Sequence, residues 1–330
     1  MVNVVNLLRL KAASLSSRNR CCVLMMDEMS LKRGLRYCKL RDAVIGFDDD
    51  GEVRLPQLSS SVLVFMVRGL FGNWKQCVSF VLTSHVLQAD NVKSYQLDTL
   101  LTLERVGLSV KAVVSDQGPI FCKMFGGFGV SPAKPWSKLN GDTICVFPDP
   151  PHLLKNVRNA LYRYNISHAD GVAKWGDISD LFKGNLPREY RLAPKLTRKH
   201  IELPLFTQMT VKLAAQVLSH STAAATRTHM EVGSMPAEAA ATAVLCQNFN
   251  DLFDCFNSMS KSGNVQLRTA ISRLPSREIG YIGKLAKNNT GHRSKNGKER
   301  FKQVSLFQWL VSGHSSFTQI VGGCHHSGEG

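Results

Sequence analysis

Residues 23–34, VLMMDEMSLKRG, pose the first question of the sequence. An apolar run suited to the core of a sheet ends in two adjacent acids, Asp27 and Glu28, and the chain then turns basic. A carboxylate at the end of a buried strand costs free energy unless it reaches water, a cationic partner or a metal ion. Side chains alternate along a strand, so Asp27 and Glu28 face opposite sides of the sheet, and we interpret Glu28 as structural.

The segments around this stretch predict a sheet covered by helices. Five runs dominated by apolar and β-branched residues predict strands, over 21–27, 35–47, 75–84, 108–116 and 141–150. Apolar periodicity predicts helices over 91–107, over 119–129 and from Pro150 onward, and the acidic cluster 48–50 is interpreted as a solvated turn. Three strands, helix, strand, helix, strand and helix is the order of a ribonuclease-H-like mixed sheet, an α/β fold.

Beyond residue 166 the sequence changes to long amphipathic helices, predicted over 205–227 and 236–259 with no convincing strand between them. The sequence therefore predicts three parts: an N-terminal helix over 1–20, an α/β domain over 21–165 and a mostly α-helical domain over 166–330. The last part ends in a basic segment. Its residues 287–302, KNNTGHRSKNGKERFK, form either a solvated loop or a phosphate contact.

The composition is that of a globular protein with a basic surface. Of the 330 residues, 44% are hydrophobic and 20% are charged, and the formal net charge is +16. Such an excess favours phosphate-rich partners, with nucleic acid first among them. No apolar run is long enough to cross a bilayer, so no membrane partner is expected. The nine cysteines contain no C-x-x-C pair and indicate buried thiols. Cys324 with His325 and His326 is a weak candidate for a metal site, and a disordered tail is the favoured interpretation of this segment.

Asp27 and Asp116 close the first and fourth predicted strands, which are neighbours in a sheet of this order. Two carboxylates at one edge repel each other unless a hard divalent cation neutralises them. A pair of Mg²⁺ ions about 3.5–4 Å apart activates water or a 3′-hydroxyl on one side and stabilises the leaving oxygen on the other. Taken singly, either aspartate could equally cap a helix or start a turn, so the hypothesis rests on their joint position.

Three segments resemble the P-element family of DNA transposases, which includes the THAP-domain transposases: MMDEMSLKRGLRY, VVSDQG and, most specifically, FPDPPHLLKNVRNAL. The similarity runs from about residue 20 to about residue 315. It implies a ribonuclease-H-like catalytic domain that cuts and joins DNA with three acids and two Mg²⁺ ions, and a helical insertion that binds GTP. By position, Asp27 matches the first acid and Asp116 the second. The resemblance also implies that the partner is transposon-end DNA, that the protein is located in the nucleus and that it can form a homo-oligomer.

The same resemblance places guanine recognition in the helical insertion. Asp254 and Asn257 lie three residues apart, on one helical face. An aspartate carboxylate accepts from both N1–H and the 2-amino group of guanine, which adenine cannot supply, and an asparagine amide can face O6 or N7. By the same alignment Lys195 lies near phosphate, Val211 against the base and Ser219 along the pocket. No GxxxxGK[ST] sequence occurs, so this is not a P-loop site.

Two parts of the family pattern have no counterpart here, and we expect a partial transposase with an incomplete catalytic domain. No C-x-x-C…C-x-x-H spacing of a zinc-binding DNA-recognition domain occurs. The third acid should be a glutamate beyond the insertion, and none of the candidates has the expected helical context: Glu231, Glu238, Glu278 and Glu299. Within the most specific segment, helix capping is the favoured role of Asp149, and His152 either supports the site or simply packs.

Three functions follow from these observations. The first is a DNA transposase, or a fragment of one, with Mg²⁺ and GTP as cofactors. The second is a catalytically inactive nucleic-acid- or GTP-binding relic or domesticated protein, and for a chain complete as given we expect no strand transfer. The third is a ribonuclease-H-like nuclease with an unrelated helical appendage, which a preference for GTP over ATP would argue against.

Overall fold

The computed structural model describes residues 2–40, 42–131, 133–168, 170–185 and 191–256. These divide into two compact units, residues 1–148 and a unit that begins at Asp149. No helix in these ranges is long and apolar enough to cross a membrane. Outside the described residues lie Asn257, Glu278, Glu299, the basic segment 287–302 and the cluster 324–326.

An eight-stranded mixed sheet is the framework of the first unit. In spatial order its strands are β5 (Arg54–Leu58), β4 (Phe47–Asp49), β7 (Lys75–Thr83), β6 (Ser61–Gly69), β1 (Cys21–Ser30), β8 (Ser109–Ser115), β10 (Asp142–Pro148) and β9 (Trp136–Leu139). Strands β1, β6 and β7 pair antiparallel, whereas β8 runs parallel to both β1 and β10. The predicted ribonuclease-H-like α/β sheet is confirmed.

Three helices accompany this sheet: α1 (Val2–Ser14), α2 (Ala89–Arg105) and α3 (Pro119–Gly127). Helix α2 confirms the helix predicted over 91–107 and buries Val92, Leu100 and Leu103. It ends where Gly107 adopts φ +88°, a backbone conformation that glycine reaches without steric cost. The turn at Gly107 returns the chain to the sheet as β8, the strand that precedes Asp116.

The second predicted strand is wrong. Residues 35–47 form a small antiparallel hairpin of β2 (Arg36–Cys38) and β3 (Ala43–Ile45), followed by the start of β4. The antiparallel partner of β1 is β6, a strand that was not predicted from the sequence. Most of β6 is buried, so its sequence SVLVFMVRG is a nearly continuous apolar run without the alternation that marks a half-exposed strand.

The acidic cluster 48–50 is only partly a solvated turn. Asp48 lies in β4 and is buried, where its Oδ2 accepts hydrogen bonds from the backbone N–H and the hydroxyl of Ser84, at 2.9 and 2.6 Å. Nδ1 of His85 lies 3.2 Å from the same oxygen. These donors compensate the burial of Asp48. Asp49 and Asp50 do form the predicted turn, since each accepts backbone N–H groups of residues 51–53.

The second unit is mostly helical, as predicted for the insertion domain. Its helices are α4 (Pro150–Arg163), α5 (Trp175–Asn185), α6 (Arg198–Ile201), α7 (Leu205–Gln208), α8 (Val211–Val217), α9 (His220–Glu231) and α10 (Ala240–Phe256). A short hairpin of β11 (Ile166–His168) and β12 (Gly171–Ala173) lies between α4 and α5. The helices share one apolar core, which includes Leu153, Leu161, Ile178, Leu181, Val217 and Leu252.

The single long helix predicted over 205–227 is wrong. The segment forms α7, α8 and α9 in succession. The last break falls at Ser219, which has extended backbone angles and caps α9, so its side chain competes with continuation of α8. The helix predicted over 236–259 is present as α10, which begins at Ala240 after a short 3₁₀ turn.

Candidate functional site

Asp27 and Asp116 occupy equivalent positions on adjacent strands. In the parallel pair of β1 and β8, the last registered partners are Met26 and Ser115, and each aspartate is the next residue along its own strand. Neighbouring strands lie about 4.8 Å apart, so the two side chains start from one edge of the sheet at that spacing. The predicted adjacency of these two strands is confirmed.

The two carboxylates differ in their surroundings. Asp27 is exposed and makes no side-chain hydrogen bond or ion pair within the described ranges. Asp116 is half-buried, and its Oδ1 accepts the backbone N–H of Gly118 at 3.0 Å. A Cβ at position 118 would lie 3.1 Å from that oxygen, so glycine allows the turn to close against the carboxylate. Asp116 is therefore held in place, whereas Asp27 faces water.

Glu28 has a different environment from its neighbour. The hydroxyl of Ser61, on β6, donates a hydrogen bond to Oε1 of Glu28 at 2.9 Å. This cross-strand bond supports the structural interpretation of Glu28. Glu28 therefore contributes to the pairing of β1 with β6, and its substitution is a suitable control for substitution of Asp27.

The described part of the chain does not place a third acid with Asp27 and Asp116 in a metal-binding group. No group of three histidine, cysteine, aspartate or glutamate side chains there could hold a metal ion. Glu231 ends α9, and Glu238 lies in the 3₁₀ turn before α10. Asp27 and Asp116 are the two acids that the parallel pairing of β1 and β8 brings together.

Asp149 and Arg158 explain much of the segment FPDPPHLLKNVRNAL. Oδ2 of Asp149 accepts the backbone N–H of His152 at 3.1 Å, which confirms the capping role predicted for it at the start of α4. Arg158 is fully buried and donates to the carbonyl oxygens of Thr207 and Gln208, both at 3.1 Å. Burial lowers the pKa of Arg158 to about 10, so its guanidinium stays charged at neutral pH. Asp149 thus caps the start of α4, and Arg158 holds α4 against α7.

The described candidates for guanine binding lie at four places in the second unit: a turn, the start of α8, the cap of α9 and α10. Asp254, on α10, is only 6% exposed, and Nδ2 of Asn250 lies 3.3 Å from its Oδ2. Ser219 accepts the backbone N–H of Thr222 and donates to the carbonyl of Gln216 at 2.9 Å, so its hydroxyl already serves as a helix cap. Ser219 therefore has a structural role that does not require a nucleotide.

Asn250 links the start of α9 to Asp254 on α10. The backbone N–H of His220, the residue after Ser219, donates to Oδ1 of Asn250 at 3.2 Å, and Asn250 in turn approaches Asp254. The exposed Lys195, in a turn, and the half-buried Val211, the first residue of α8, make no hydrogen bond or ion pair to Asp254 in the described residues. Of the predicted residues, Asp254 is therefore connected through Asn250 to the start of α9, where Ser219 is the cap.

A polar network between these helices escaped the sequence analysis. Nδ1 of His220 lies 2.7 Å from Oε1 of Gln247, whose Nε2 donates to Oδ1 of Asp251 at 2.7 Å. Asp251 is buried, and Gln247 and Asp251 are four residues apart on α10. That spacing of an amide and an acid in an otherwise apolar helix was the available signal.

Two family profiles match separate parts of the chain. The profile described as the TNP-like, RNase H N-terminal domain matches residues 1–129, and the TNP-like, GTP-binding insertion domain matches residues 151–268. A curated protein, the Transposable element P transposase of Drosophila melanogaster, is 31% identical over 261 residues, covering 74% of this chain and 31% of that protein. The chain belongs to the P-element-type transposase family. It spans less than a third of the length of this curated relative.

A solved structure agrees with this P-element-type fold. The Drosophila P element transposase strand transfer complex superposes with a TM-score of 0.82 over 99% of this chain and 70% of that chain, at 23% sequence identity. At this identity the likeness establishes the fold. The two profile matches separate the candidate residues of this P-element-type chain: Asp27 and Asp116 lie in the first, and Lys195, Val211, Ser219, Asp254 and Asn257 lie in the second.

Proposed function

We propose that this P-element-type chain is the catalytic and GTP-binding part of a DNA transposase that cleaves and transfers DNA strands with Mg²⁺. The observation that carries the proposal is the equivalent position of Asp27 and Asp116, each of which directly follows the last registered pair of the adjacent parallel strands β1 and β8. The net charge of +16 suits a phosphate-rich substrate. Action on chromosomal DNA also implies work in the nucleus, which is part of the same proposal.

The two aspartates fit a hard divalent cation. Carboxylate oxygens are the ligands that Mg²⁺ prefers, and the exposed Asp27 and the Oδ2 of Asp116 make no hydrogen bond or ion pair within the described residues. When bound, Mg²⁺ neutralises the two carboxylates, activates a hydroxyl nucleophile and stabilises charge on the leaving oxygen. Asp27 and Asp116 would hold the ion.

The residues of the chain define how the reacting phosphate is positioned. Asp116 cannot rotate freely because its Oδ1 is fixed by Gly118, so one carboxylate is preorganised. Asp27 extends into water from a strand that is paired on both sides up to Met26. The site would therefore combine one fixed carboxylate, Asp116, with one that is open to solvent, Asp27.

A plasmid-nicking assay tests the catalytic proposal without knowledge of the transposon ends. We expect the chain to nick supercoiled DNA with Mg²⁺ and not with EDTA, and Asp27→Asn or Asp116→Asn to lower the rate at least ~100-fold. Glu28→Gln is the matched control, because it removes an adjacent acid that bonds to Ser61 instead. Nicking that survives Asp27→Asn would contradict the assignment.

The inactive alternative is motivated by the described residues, which contain no group of three histidine, cysteine, aspartate or glutamate side chains that could hold a metal ion. It predicts binding without turnover. Mn²⁺ binding measured by electron paramagnetic resonance separates the cases: the chain would bind Mn²⁺ through Asp27 and Asp116 yet leave plasmid DNA intact. If the chain neither bound Mn²⁺ nor nicked DNA, the metal site would be excluded for both the active and the inactive alternative.

For the nucleotide, we propose that Asp254 reads guanine and that Asn257, Lys195, Val211 and Ser219 complete the pocket. The match of residues 151–268 to a GTP-binding insertion domain supports GTP as the ligand class. Calorimetry should show GTP binding tighter than ATP, with the difference lost in Asp254→Asn. Asp251→Asn is the matched control, since Asp251 is equally buried one turn earlier on α10. Equal binding of GTP and ATP by the unaltered chain would remove the guanine assignment.

A further inference from the structure

The basic turn of the chain that follows Asp27 forms a separate hairpin, residues 31–46, which we call the basic hairpin. It contains β2 and β3, paired from Arg36 with Ile45 to Cys38 with Ala43. Both of its ends are tied to the same short segment before β6: the N–H of Leu31 donates to the carbonyl of Ser60 at 2.7 Å, and the N–H of Ser59 donates to the carbonyl of Gly46 at 2.9 Å. The hairpin thus leaves the sheet at one defined point.

That point is on the same edge as the two aspartates. In the antiparallel pair of β1 and β6, Asp27 is opposite Val64 and Ser30 is opposite Ser61, the last pair before the hairpin begins. Three residues of strand separate Asp27 from Ser30, which is roughly 10 Å. A DNA strand that reached the carboxylates would pass within a few nucleotides of the hairpin.

The hairpin carries an uncompensated positive charge. Lys32, Arg33, Arg36 and Lys39 are all exposed, and none of them forms an ion pair or a side-chain hydrogen bond with the described residues. The acid of the hairpin, Asp42, accepts a hydrogen bond from the hydroxyl of Tyr37. Four free cations on one small element are available to phosphates.

Large apolar side chains are exposed beside these cations. Leu40 is 96% exposed and Tyr37 is 56% exposed. Such a mixture fits the sugar and phosphate surface of a nucleic acid, on which aromatic and aliphatic groups pack while cations bind phosphate. A second copy of the same hairpin would present like charges, which disfavours self-association through this surface.

Gly46 allows a close backbone approach at the base of the hairpin. Gly46 has φ +115°, and a Cβ there would lie 2.2 Å from the carbonyl oxygen of Gly34. We call this close approach of Gly46 to Gly34 the neck of the hairpin, and only glycine at position 46 permits it. Arg54 of β5 braces the outer part by donating to the carbonyl of Val44 and also stacks over Phe47.

We propose that the basic hairpin is a DNA-backbone clamp that guides duplex DNA to the edge carrying Asp27 and Asp116. Arg33, Arg36 and Lys39 would contact phosphates, and Tyr37 would pack against a deoxyribose. The inference rests on the proposed action on DNA, but it concerns binding and not cleavage.

Fluorescence anisotropy of a labelled duplex of arbitrary sequence, in EDTA, isolates binding from catalysis. The triple variant Arg33→Gln/Arg36→Gln/Lys39→Gln should lose at least ~10-fold in affinity at 0.1 M salt, with the salt slope reduced by about 2.7, or ~0.9 per lost contact. The control Arg68→Gln/Lys75→Gln/Arg105→Gln removes the same charge from three exposed sites: Arg68 near the end of β6, Lys75 at the start of β7 and Arg105 at the end of α2. It should retain binding within about threefold. Arg33→Lys/Arg36→Lys should also bind, which guards against a folding effect.

Cys38 supplies a second measurement on the unaltered chain. It lies half-exposed on β2, so duplex DNA should slow its alkylation by N-ethylmaleimide severalfold, while Cys77, on β7, serves as the internal reference. Equal loss of affinity in both triple variants, or unprotected Cys38 in saturating DNA, would overturn the clamp. The clamp would also be overturned if the Arg33→Gln/Arg36→Gln/Lys39→Gln variant bound DNA as the unaltered chain does but differed from it in mass by sedimentation. That result would show that the hairpin is a contact between copies of the chain. If the unaltered chain does not nick DNA but its DNA binding depends on the hairpin, the clamp is supported and the catalytic proposal fails. If the chain nicks DNA through the aspartates but its DNA binding does not depend on the hairpin, the catalytic proposal is supported and the clamp fails.

Discussion

Asp27 and Asp116 follow the registered pair Met26 and Ser115 on parallel strands, so two acids separated widely in sequence start about one strand spacing apart. Only one of them is restrained, by the Gly118 N–H. In the absence of a cation their mutual repulsion opposes folding of the edge, and a bound divalent ion reverses the sign of that contribution. Stability should therefore report on metal binding independently of catalysis.

Thermal unfolding with and without divalent metal gives the first prediction. Mg²⁺ or Mn²⁺ at 100 times its Kd should stabilise the wild-type chain by about 2.7 kcal/mol, and EDTA should remove the gain. Asp27→Asn should lose this response and be slightly more stable than wild type in EDTA, because one repelling charge is gone. Glu28→Gln should keep the response. A metal-dependent shift that persists in Asp27→Asn would place the ion elsewhere.

The strands that carry the aspartates were predictable because their local pattern agrees with their place in the sheet. Residues 21–27 and 108–116 are apolar, are bounded by clear signals and end in an acid. Strand β6 was not, since burial on both faces removes the alternation that distinguishes a strand. The register that sets Asp27 against Asp116 depends on pairing between distant segments, and spacing in the sequence does not encode it.

The candidate nucleotide residues show the same limit. Sequence spacing places Asp254 and Asn257 on one helical face, but burial of Asp254 at 6% exposure depends on the packing of α10 against other helices. The capping role of Ser219 was missed because the predicted helix ran through it. Local helix propensity does not distinguish one helix from three over residues 205–227. The hydrogen bonds of Ser219 with Gln216 and Thr222 interrupt the helix at this position.

Replacement of Gly46 tests the neck of the basic hairpin. Gly46→Ala should cost about 1–3 kcal/mol, because alanine is strained at φ +115° and its Cβ would collide with the carbonyl of Gly34. Hydrogen exchange should rise across residues 31–46 in this variant. Gly34→Ala is the control: a Cβ there meets nothing within 4 Å, so stability should change by less than about 0.5 kcal/mol. Equal effects of both changes would argue against the backbone contact.

Ser219→Ala separates a cap from a nucleotide contact. Loss of the cap on α9 should destabilise the chain by about 0.5–2 kcal/mol in urea unfolding, whereas the exposed Ser221→Ala on the same helix should change stability by less than about 0.5 kcal/mol. If Ser219 acts only as a cap, the Kd for GTP measured by calorimetry on the folded variant stays unchanged. A large loss of GTP affinity without loss of stability would instead make it a ligand contact.

The thiol of Cys246 gives α10 a pH-dependent stability. Cys246 is fully buried in the core of the second unit, and burial first, with the nearby Asp177 second, raises its pKa from 9.0 to about 12, while Arg227 acts in the opposite direction. Because the folded pKa lies above the unfolded one, the contribution is fully present below pH 9 and is lost as pH rises from 9 towards 12. Between pH 8 and pH 10 the free energy of unfolding should fall by about 1.4 kcal/mol on account of this group. Urea unfolding of wild type and Cys246→Ala at both pH values measures the difference, since the variant lacks this titration whatever its overall stability. Parallel pH dependences in the two proteins would mean that the thiol ionises as readily in the folded chain as in the unfolded one.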